Sequence, residues 1–275
     1  MGSLERAVRT IGVITNDRYG DFQRMIIQGL KNVFEAHTYA IVIDPIAETG
    51  GTSPRTISLN VARLSGLIVI ANIVADDFLR QVHVTGKPMV LVSHQVPDTY
   101  IPAVMVDNRE GIGRMVDFLV EDCGSRQIVY IQGDLNQVDG QQRTAAFIES
   151  MQRHDLNIDP TYFLRGDFET AIASESFKAF LAQKPSFDAV AAADYRMAVS
   201  AARILRETGY KIPDAVRVVG FGDGQDAAMA GLTTVGVDVV RLGERAAYQL
   251  IGQMDGMEIL GTTLLSTSIL RRDTA

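Results

Sequence analysis

Short apolar runs alternate with amphipathic segments along most of the chain. The run at 10–15, TIGVIT, precedes a segment in which Phe22, Ile26, Leu30 and Val33 recur at helical spacing and fall on one face. This pair predicts one βα unit. Comparable apolar runs, each interpreted as a strand, lie at 39–44, 66–71, 88–93, 127–132, 188–193 and 216–221. Because near-continuous apolar strands separated by amphipathic helices are typical of parallel sheets covered on both faces, the pattern predicts an α/β protein.

These strands are too many for one compact sheet, so the pattern favours two α/β halves. The segment DNREGIG at 107–113 is the predicted junction between them. The sequence from residue 233 onward predicts another crossing, followed by a helix and a strand. This arrangement predicts that the chain returns to the first half and then comes back to the second. Ligands of open α/β sheets bind beyond the carboxyl ends of the strands. Two such sheets therefore predict a ligand cleft between the halves.

The composition of the chain limits the classes of protein to which it can belong. With 275 residues, 47% of them hydrophobic and 21% charged, the chain suits one large or two ordinary domains with full cores. Its apolar runs are much shorter than the roughly 20 residues of a membrane span, and the N-terminus lacks the apolar region of a secretory signal. We therefore expect a cytoplasmic protein without membrane contact. The net charge of −7 argues against binding nucleic acid through this chain alone, because affinity for phosphate backbones comes largely from Lys and Arg.

Three glycines, Gly220, Gly222 and Gly224, lie at the end of the last of these runs. A dinucleotide-binding fingerprint needs G-x-G-x-x-G between the first strand and helix of its unit. Here Gln225 stands where the third glycine belongs, and the strand comes near the end of the fold. A P-loop is excluded too, since no Lys-Ser or Lys-Thr follows. The cluster instead predicts a strand-to-helix turn that needs positive φ or a close backbone approach, and no cofactor is expected.

Catalytic and metal-binding patterns are absent from the sequence. The four histidines, His37, His83, His94 and His154, form no H-x-x-x-H or H-E-x-x-H pair, and no G-x-S-x-G elbow occurs. The single cysteine, Cys123, permits neither an internal disulfide nor a cysteine cluster for zinc. We therefore expect a binding protein without a metal site rather than an enzyme.

Polar and aromatic residues recur near the ends of strands, and these form the predicted ligand site. Helix starts favour Asp, Asn and Ser as caps, so part of the set is structural. Arg143 lies early in its helix, where a cation opposes the helix dipole, and we interpret it as reaching a ligand or a carboxylate. The predicted ligand-binding residues are Asp17, Tyr19, Phe22, Ser93, His94, Arg143, Asp194, Phe221 and Asp223.

Several segments together resemble one known family. They are VRTIGVIT at 8–15, VDN at 106–108, EDCGSRQIVYIQG at 121–133, the R-x-x-x-F of Arg143 to Phe147, and the stretches at 192–223, 232–251 and 268–275. This set, running from about residue 9 to the C-terminus, resembles the effector-binding domain of the LacI/GalR family of bacterial transcription regulators. That domain shares its fold with periplasmic sugar-binding proteins.

The resemblance implies two doubly wound parallel-sheet lobes joined by three crossovers, a periplasmic binding protein-like fold. It divides the chain into a linker at 1–9, an N-terminal lobe at 10–107 plus 237–263, and a C-terminal lobe at 108–236 plus 264–275. It also implies that a small polar effector, with sugars among the candidates, binds between the lobes of a homodimer and changes DNA affinity allosterically. DNA would be bound only through a helix-turn-helix preceding RAVRTIGVI and absent from this chain.

The sequence departs from the family's pattern at three predicted ligand positions. The acid that often binds a sugar hydroxyl is here Gly222, which leaves Asp223. The usual Asn-Asp pair is here Asp194 and Tyr195, and Ser93 replaces an acid that is often found at its position. Arg143 does match the family's ligand-contacting arginine, so a cleft is implied while a common hexose is disfavoured as its ligand.

Three other functions stay open on the sequence alone. The first is the same sensor domain fused to a signalling output such as a nucleotide cyclase or a kinase. The second is a transport sugar-binding protein, which an encoded leader peptide would favour. The third is an enzyme that uses the turn at Gly220 to bind a nucleotide.

Overall fold

The structure, a computed structural model, describes residues 9–17, 20–46 and 57–275. The strands are β1 (Thr10–Asn16), β2 (Ala40–Ile46), β3 (Gly66–Ile70), β4 (Met89–Val92), β5 (Ala103–Val106), β6 (Ile128–Gln132), β7 (Phe163–Arg165), β8 (Ala189–Ala192), β9 (Arg217–Phe221), β10 (Thr233–Gly236), β11 (Thr262–Leu265) and β12 (Ser268–Leu270). The helices are α1 (Asp21–Ala36), α2 (Asp76–Val84), α3 (Asn108–Asp117), α4 (Val138–Arg153), α5 (Thr170–Ala182), α6 (Tyr195–Glu207), α7 (Gln225–Met229) and α8 (Val239–Met254). Within the described ranges, no helix is both long and apolar enough to cross a membrane. The α/β prediction is confirmed.

The chain forms two compact units. The first comprises Met1–Val106 and Asp238–Leu265, and the second comprises Asp107–Val237 and Ser266–Ala275. The chain crosses from one unit to the other three times. Most of the predicted linker at 1–9 lies outside the described residues.

The crossings differ by one or two residues from the boundaries that the sequence predicts, and local hydrogen bonds explain the differences. Asp107 belongs to the second unit because its side chain caps α3, accepting a hydrogen bond from the amide of Glu110 at 2.9 Å. Asp238 caps α8 in the same way, so the return to the first unit begins there rather than at residue 237. Leu265 stays in the first unit because it pairs with Val106 in the sheet.

The first unit is built on a six-stranded parallel sheet with the order β11-β5-β4-β3-β1-β2. Every residue of β3 and β4 is buried, as expected for central strands covered on both faces. The edge strands β2 and β11 instead carry exposed positions. Helices α1 and α8 pack against each other, and α1 buries Ile26 and Leu30, as its apolar face predicts.

The second unit contains another six-stranded sheet, with the order β12-β10-β9-β8-β6-β7. All its pairs are parallel except β10 with β12, an antiparallel edge of a kind common on otherwise parallel sheets. Its core contains an aromatic cluster in which the rings of Tyr130 and Phe147 are stacked, with their centroids 4.2 Å apart. Burial raises the pKa of the Tyr130 hydroxyl.

Candidate ligand-binding site

Arg143 is a predicted ligand residue that hydrogen bonds and packing hold within the second unit. Helix α4 carries its side chain into the second unit, where the residue is only 8% exposed. Its Nε donates a hydrogen bond to Asn108 Oδ1 at 2.8 Å, and its Nη1 donates to the carbonyl of Ala193 at 2.7 Å. The Asn108 amide nitrogen in turn donates to Asp139 and Gln142, each at 2.8 Å. These bonds hold the guanidinium in one orientation.

The carboxylate of Asp139 lies near this cation, one helical turn earlier. Arg143 Nη2 lies 3.8 Å from Asp139 Oδ2, which is too long for a hydrogen bond. The carboxylate therefore offsets the charge of Arg143 without occupying the donors of Nη2.

Two aromatic rings support the guanidinium. Arg143 Cζ lies 4.0 Å from the ring centroid of Phe221 and 5.6 Å from that of Phe168, distances at which a cation is attracted to the face of a ring. Phe221 is 2% exposed. The structure therefore places the Phe221 ring behind Arg143, where it supports the cation instead of offering an open face to a ligand. We call Arg143, Asn108, Asp139, Phe168 and Phe221 the Arg143 network.

Asp223 is engaged by another arginine. Its two carboxylate oxygens accept hydrogen bonds from Nη1 and Nη2 of Arg272 at 2.9 and 2.8 Å, and Oδ1 also accepts from the hydroxyl of Thr234 at 3.1 Å. These bonds raise the pKa of Arg272 above its ordinary value. The carboxylate that the sequence assigns to the ligand thus anchors the C-terminal segment of the second unit.

Asp194 begins α6 as its N-cap. Its Oδ1 accepts from the backbone amide of Arg196 at 2.8 Å and from Nε of the same residue at 3.0 Å. Arg196 Nη2 also donates a hydrogen bond to the carbonyl of Phe168, a residue of the Arg143 network, at 3.3 Å. The capping role of Asp194 is the structural use that such residues usually have.

The glycine cluster forms a turn that Tyr195 fills. A Cβ at Gly220 would lie 2.7 Å from Tyr195 Cα, so strand β9 and helix α6 approach too closely for any side chain. Gly222 has φ +82°, in the left-handed region that favours glycine. A Cβ at Gly224 would lie 2.5 Å from the Tyr195 hydroxyl oxygen. Both predicted reasons for the glycines, positive φ and close approach, are confirmed.

In the first unit, Ser93 and His94 follow β4 and lie within the protein. They are 5% and 3% exposed, respectively. His94 Nε2 lies 2.9 Å from Oδ1 of Asp76, the first residue of α2. Ser93 has φ +53°, a left-handed conformation that is strained for a residue with a Cβ.

Four buried polar atoms near the carboxyl ends of β1 and β4 have no hydrogen-bond partner among the described residues. They are Thr15 Oγ1, Asn16 Oδ1, Ser93 Oγ and His94 Nδ1. In the parallel sheet Ile14 pairs with Val69, and Ile70 pairs with Val92. The carboxyl ends of β1, β3 and β4 therefore lie at the same level. We call these four residues the edge cluster.

The other predicted residues of the first unit have separate positions. Asp17 is exposed just after β1, and its amide donates to the carbonyl of Ile46 at 3.1 Å. Phe22 is half-buried in the first turn of α1. Tyr19 lies outside the described residues.

Two other features of the second unit lie apart from the predicted ligand residues. Asp117, Glu121 and His154 bring potential metal-ligand atoms within 4.8 Å of one another. The Asp117 carboxylate already accepts from Arg153 at 2.6 Å and interacts with His154 Nε2 at 2.7 Å, so it belongs to an ion-pair cluster. A cavity of about 130 Å³ opens among residues that include Ile128, Phe147, Met151 and Phe163, where β6 begins.

Sequence reasoning missed several partners that the structure brings to the site. The position of Asp139 four residues before Arg143 was a usable signal, because side chains at this spacing face each other on a helix. Asn108 also comes shortly after a strand, β5, as Ser93 and Asp223 come after β4 and β9. For Phe168, Asp76 and Arg272 the sequence offers no local signal.

Comparison with known proteins defines the class of this chain. Residues 116–275, more than half of the chain, match the periplasmic binding protein-like domain family. The chain therefore belongs to that family, and the predicted fold is confirmed.

Individual relatives extend the match over nearly the whole chain. The HTH-type transcriptional repressor CytR of Escherichia coli strain K12 is 25% identical over 269 residues, covering 96% of this chain and 78% of CytR. A Lac repressor dimer bound to operator and the anti-inducer ONPF has a TM-score of 0.85 at 21% identity, covering 98% of this chain and 95% of that one. A complex of the transcriptional regulator CelR with cellobiose has a TM-score of 0.83 at 22% identity, covering 98% and 85%. The chain is homologous to LacI/GalR regulators across their effector-binding region, which confirms the resemblance.

Proposed function

We propose that this chain is the ligand-sensing domain of a LacI/GalR-type transcription regulator, and that it binds a small polar ligand without catalysing a reaction. The observation that carries this proposal is the Arg143 network. A buried guanidinium held by Asn108 and Ala193 and backed by Phe221 keeps its orientation before a ligand arrives. Preorganisation of this kind lowers the cost of binding. The homology to transcriptional regulators supports the same function.

The chemistry of Arg143 indicates which ligand atoms it takes. Guanidinium N–H groups only donate, so the ligand group beside Arg143 supplies oxygen or nitrogen acceptors. Hydroxyl, carbonyl and carboxylate oxygens all qualify. Because a protein of the same fold is known as a complex with cellobiose, sugars come first among the candidates.

In this proposal the ligand acts by shifting an equilibrium between two conformations of a dimeric, cytoplasmic regulator. The size of the shift is limited by the difference in ligand affinity between the two conformations. DNA affinity and ligand affinity are then coupled reciprocally. The predicted cleft between the two halves of the chain stays a prediction.

A thermal-shift screen of the purified protein tests the proposal. The compounds are sugars, sugar phosphates, polyols, nucleosides and small acids. A ligand at 100 times its dissociation constant stabilises a protein by about 2.7 kcal/mol, a shift of a few degrees for a chain of this size. Arg143→Ala and Arg143→Lys are screened in parallel, since Lys keeps the charge but not the planar fork of donors.

Arg203→Ala is the matched control, because Arg203 lies in the same unit with its side chain 60% exposed and forms an ion pair with Glu207. We expect ligand-induced stabilisation to be lost in Arg143→Ala, strongly reduced in Arg143→Lys and unchanged in Arg203→Ala. Circular dichroism of each variant separates loss of binding from loss of folding. Stabilisation that persists in folded Arg143→Ala would show that Arg143 is not the anchor.

A further inference from the structure

A cavity of the second unit has the size and the lining of a binding site for a small aromatic molecule. We propose that it binds an uncharged compound with a single aromatic ring, as a second ligand besides the one at Arg143. The inference goes beyond the proposed function and does not depend on it. The cavity has a volume of about 130 Å³, and we call it the β6 cavity. The residues that line it include Ile128, Phe147, Met151, Ile158, Tyr162 and Phe163.

The β6 cavity lies at the other end of the sheet from the Arg143 network. Ile128 is the first residue of β6, whereas Phe221, which supports Arg143, is the last residue of β9. Strands β6, β8 and β9 are parallel, so their carboxyl ends share one edge of the sheet and their amino ends share the other. Helix α4 reaches both places, with Arg143 in its first half and Met151 near its end. The two sites therefore use different residues and can be altered separately.

The volume of the β6 cavity suits a single six-membered ring. An engineered apolar cavity of about 150 Å³ in another protein binds benzene. Protein interiors contain few voids larger than a water molecule, because the atoms around a void lose dispersion contacts. Phe147 and Met151 are both buried where they line the cavity. A ligand of ring size would supply the dispersion contacts that these side chains otherwise lack.

Contacts with neighbouring groups hold the aromatic walls of the cavity in place. Phe147 stacks on Tyr130 with ring centroids 4.2 Å apart, and it meets the edge of Phe163 at 5.7 Å. The Tyr162 hydroxyl donates a hydrogen bond to the carbonyl of Ser186 at 2.5 Å. Aromatic rings attract one another in offset or edge-to-face arrangements. Walls made of fixed rings therefore favour an aromatic ligand over an aliphatic one of the same size.

The charged residues of the cavity favour a ligand without charge. Arg126 and Asp159 both line the cavity and have opposite signs. Arg126 Nη1 donates to the carbonyls of Val120 and Ser125 at 3.0 and 2.8 Å. Asp159 Oδ1 accepts from the amide and the hydroxyl of Thr161 at 2.8 and 2.7 Å. A charged ligand would be attracted by one of the two residues and repelled by the other, and it would lose hydration in the cavity.

Methyl NMR of protein with labelled methionines tests the location of the site, with phenol as the probe. A ring in the β6 cavity shifts the signal of the Met151 methyl group, which is assigned by its disappearance in Met151→Leu. Met89 is the internal control, because it is buried in the first unit. We expect phenol to shift the Met151 signal and to leave that of Met89 in place. Equal shifts of both signals, or no shift at Met151 before phenol unfolds the protein, would overturn the inference.

Substitution of one wall residue tests whether the cavity itself supplies the affinity. Ile158→Phe fills part of the cavity from a half-buried loop position. Leu156→Phe is the matched control, because Leu156 is also half-buried, two residues earlier, and does not line the cavity. In calorimetric titrations we expect phenol to bind Ile158→Phe about tenfold more weakly than wild type, and Leu156→Phe as tightly as wild type. Equal affinity of wild type and Ile158→Phe, with circular dichroism showing that the variant is folded, would overturn the inference.

Three further compounds test the class of ligand. Cyclohexanol matches phenol in its hydroxyl and its number of heavy atoms but has no aromatic ring, and benzoate and benzylamine carry opposite charges. We expect phenol to bind about threefold to tenfold more tightly than cyclohexanol, because of contacts between rings. Benzoate and benzylamine should bind about tenfold more weakly than phenol. Cyclohexanol that binds as tightly as phenol would overturn the preference for an aromatic ring, and a charged compound that binds more tightly would overturn the preference for a ligand without charge.

Discussion

The Arg143 network and the edge cluster both contain buried polar groups, but only those of the network have hydrogen-bond partners among the described residues. In the network, Arg143 and Asn108 find hydrogen-bond partners within the second unit, and Phe221 covers one face of the cation. In the edge cluster, four buried polar atoms have no partner among the described residues. A buried polar group without a partner destabilises a fold, by about 1–3 kcal/mol in mutational studies. We therefore expect the network to stabilise the fold and the edge cluster to lower its stability.

The largest expected effect concerns the ring behind Arg143. Phe221→Ala removes a buried aromatic side chain and the support of the cation, and we expect it to lower the free energy of unfolding by about 3–5 kcal/mol. Phe221→Leu keeps much of the apolar volume and should cost less. Urea unfolding followed by circular dichroism measures both. Equal, small losses for the two variants would show that the network does not stabilise the second unit.

Replacing threonine by valine at two buried positions compares a hydroxyl that has hydrogen-bond partners with one that has none among the described residues. Thr15 and Thr274 are both fully buried. The Thr274 hydroxyl accepts from the amide of Thr233 at 2.8 Å and donates to the carbonyl of Val218 at 2.7 Å, whereas that of Thr15 belongs to the edge cluster. We expect Thr274→Val to destabilise the protein by about 2 kcal/mol and Thr15→Val to be neutral or stabilising by up to about 1 kcal/mol.

Urea unfolding followed by circular dichroism measures both variants. Valine has nearly the same shape as threonine, so each substitution removes the hydroxyl with little change in packing. The comparison fails if Thr15→Val destabilises as much as Thr274→Val does. If Thr15→Val is stable but weakens ligand binding, the edge cluster exchanges stability for function, a pattern common at binding sites.

The smallest expected effect is a pH dependence in the second unit. Burial raises the pKa of Glu110, but hydrogen bonds from the amide of Thr267, from Arg114 and from the Thr267 hydroxyl outweigh it and lower the pKa below its ordinary value. A lowered folded pKa means that the ionised carboxylate stabilises the fold above the unfolded pKa of about 4.3. This stability is lost as the pH falls through the folded pKa.

Glu110→Gln should therefore reduce the free energy of unfolding by about 1 kcal/mol at pH 7. The difference from wild type should shrink as the pH falls below about 4. Urea titrations of both proteins at a series of pH values measure it. A difference that stays constant down to acid pH would rule out ionised Glu110 as its source.

Much of the fold followed from local patterns in the sequence. The buried run of β3 and the apolar face of α1 were recognisable because burial on both faces, or on one, leaves a period in the sequence. The unit boundaries differed by one or two residues because side chains such as Asp107 and Asp238 cap helices, and a cap belongs with its helix.

The candidate site was less predictable, for a physical reason. The position of Arg143 early in α4 marked it as unusual, but a helix position does not say which partners meet the side chain. Asp223 follows a strand as ligand residues do, yet it pairs with Arg272. Whether Asp223 serves the ligand or the fold depends on where the C-terminal segment runs, and no local pattern encodes that path.

The sequence by itself determined the α/β class, the positions of most strands and the need for glycine at Gly220 and Gly222, because periodicity and backbone sterics act over a few neighbouring residues. Only the tertiary structure decided the pairing of side chains. Arg143 meets Ala193 across 50 residues, Asp223 meets Arg272 across 49, and His94 meets Asp76 across 18. Parallel sheets bring distant strand ends to one edge, so such contacts depend on strand order and register rather than on proximity in sequence.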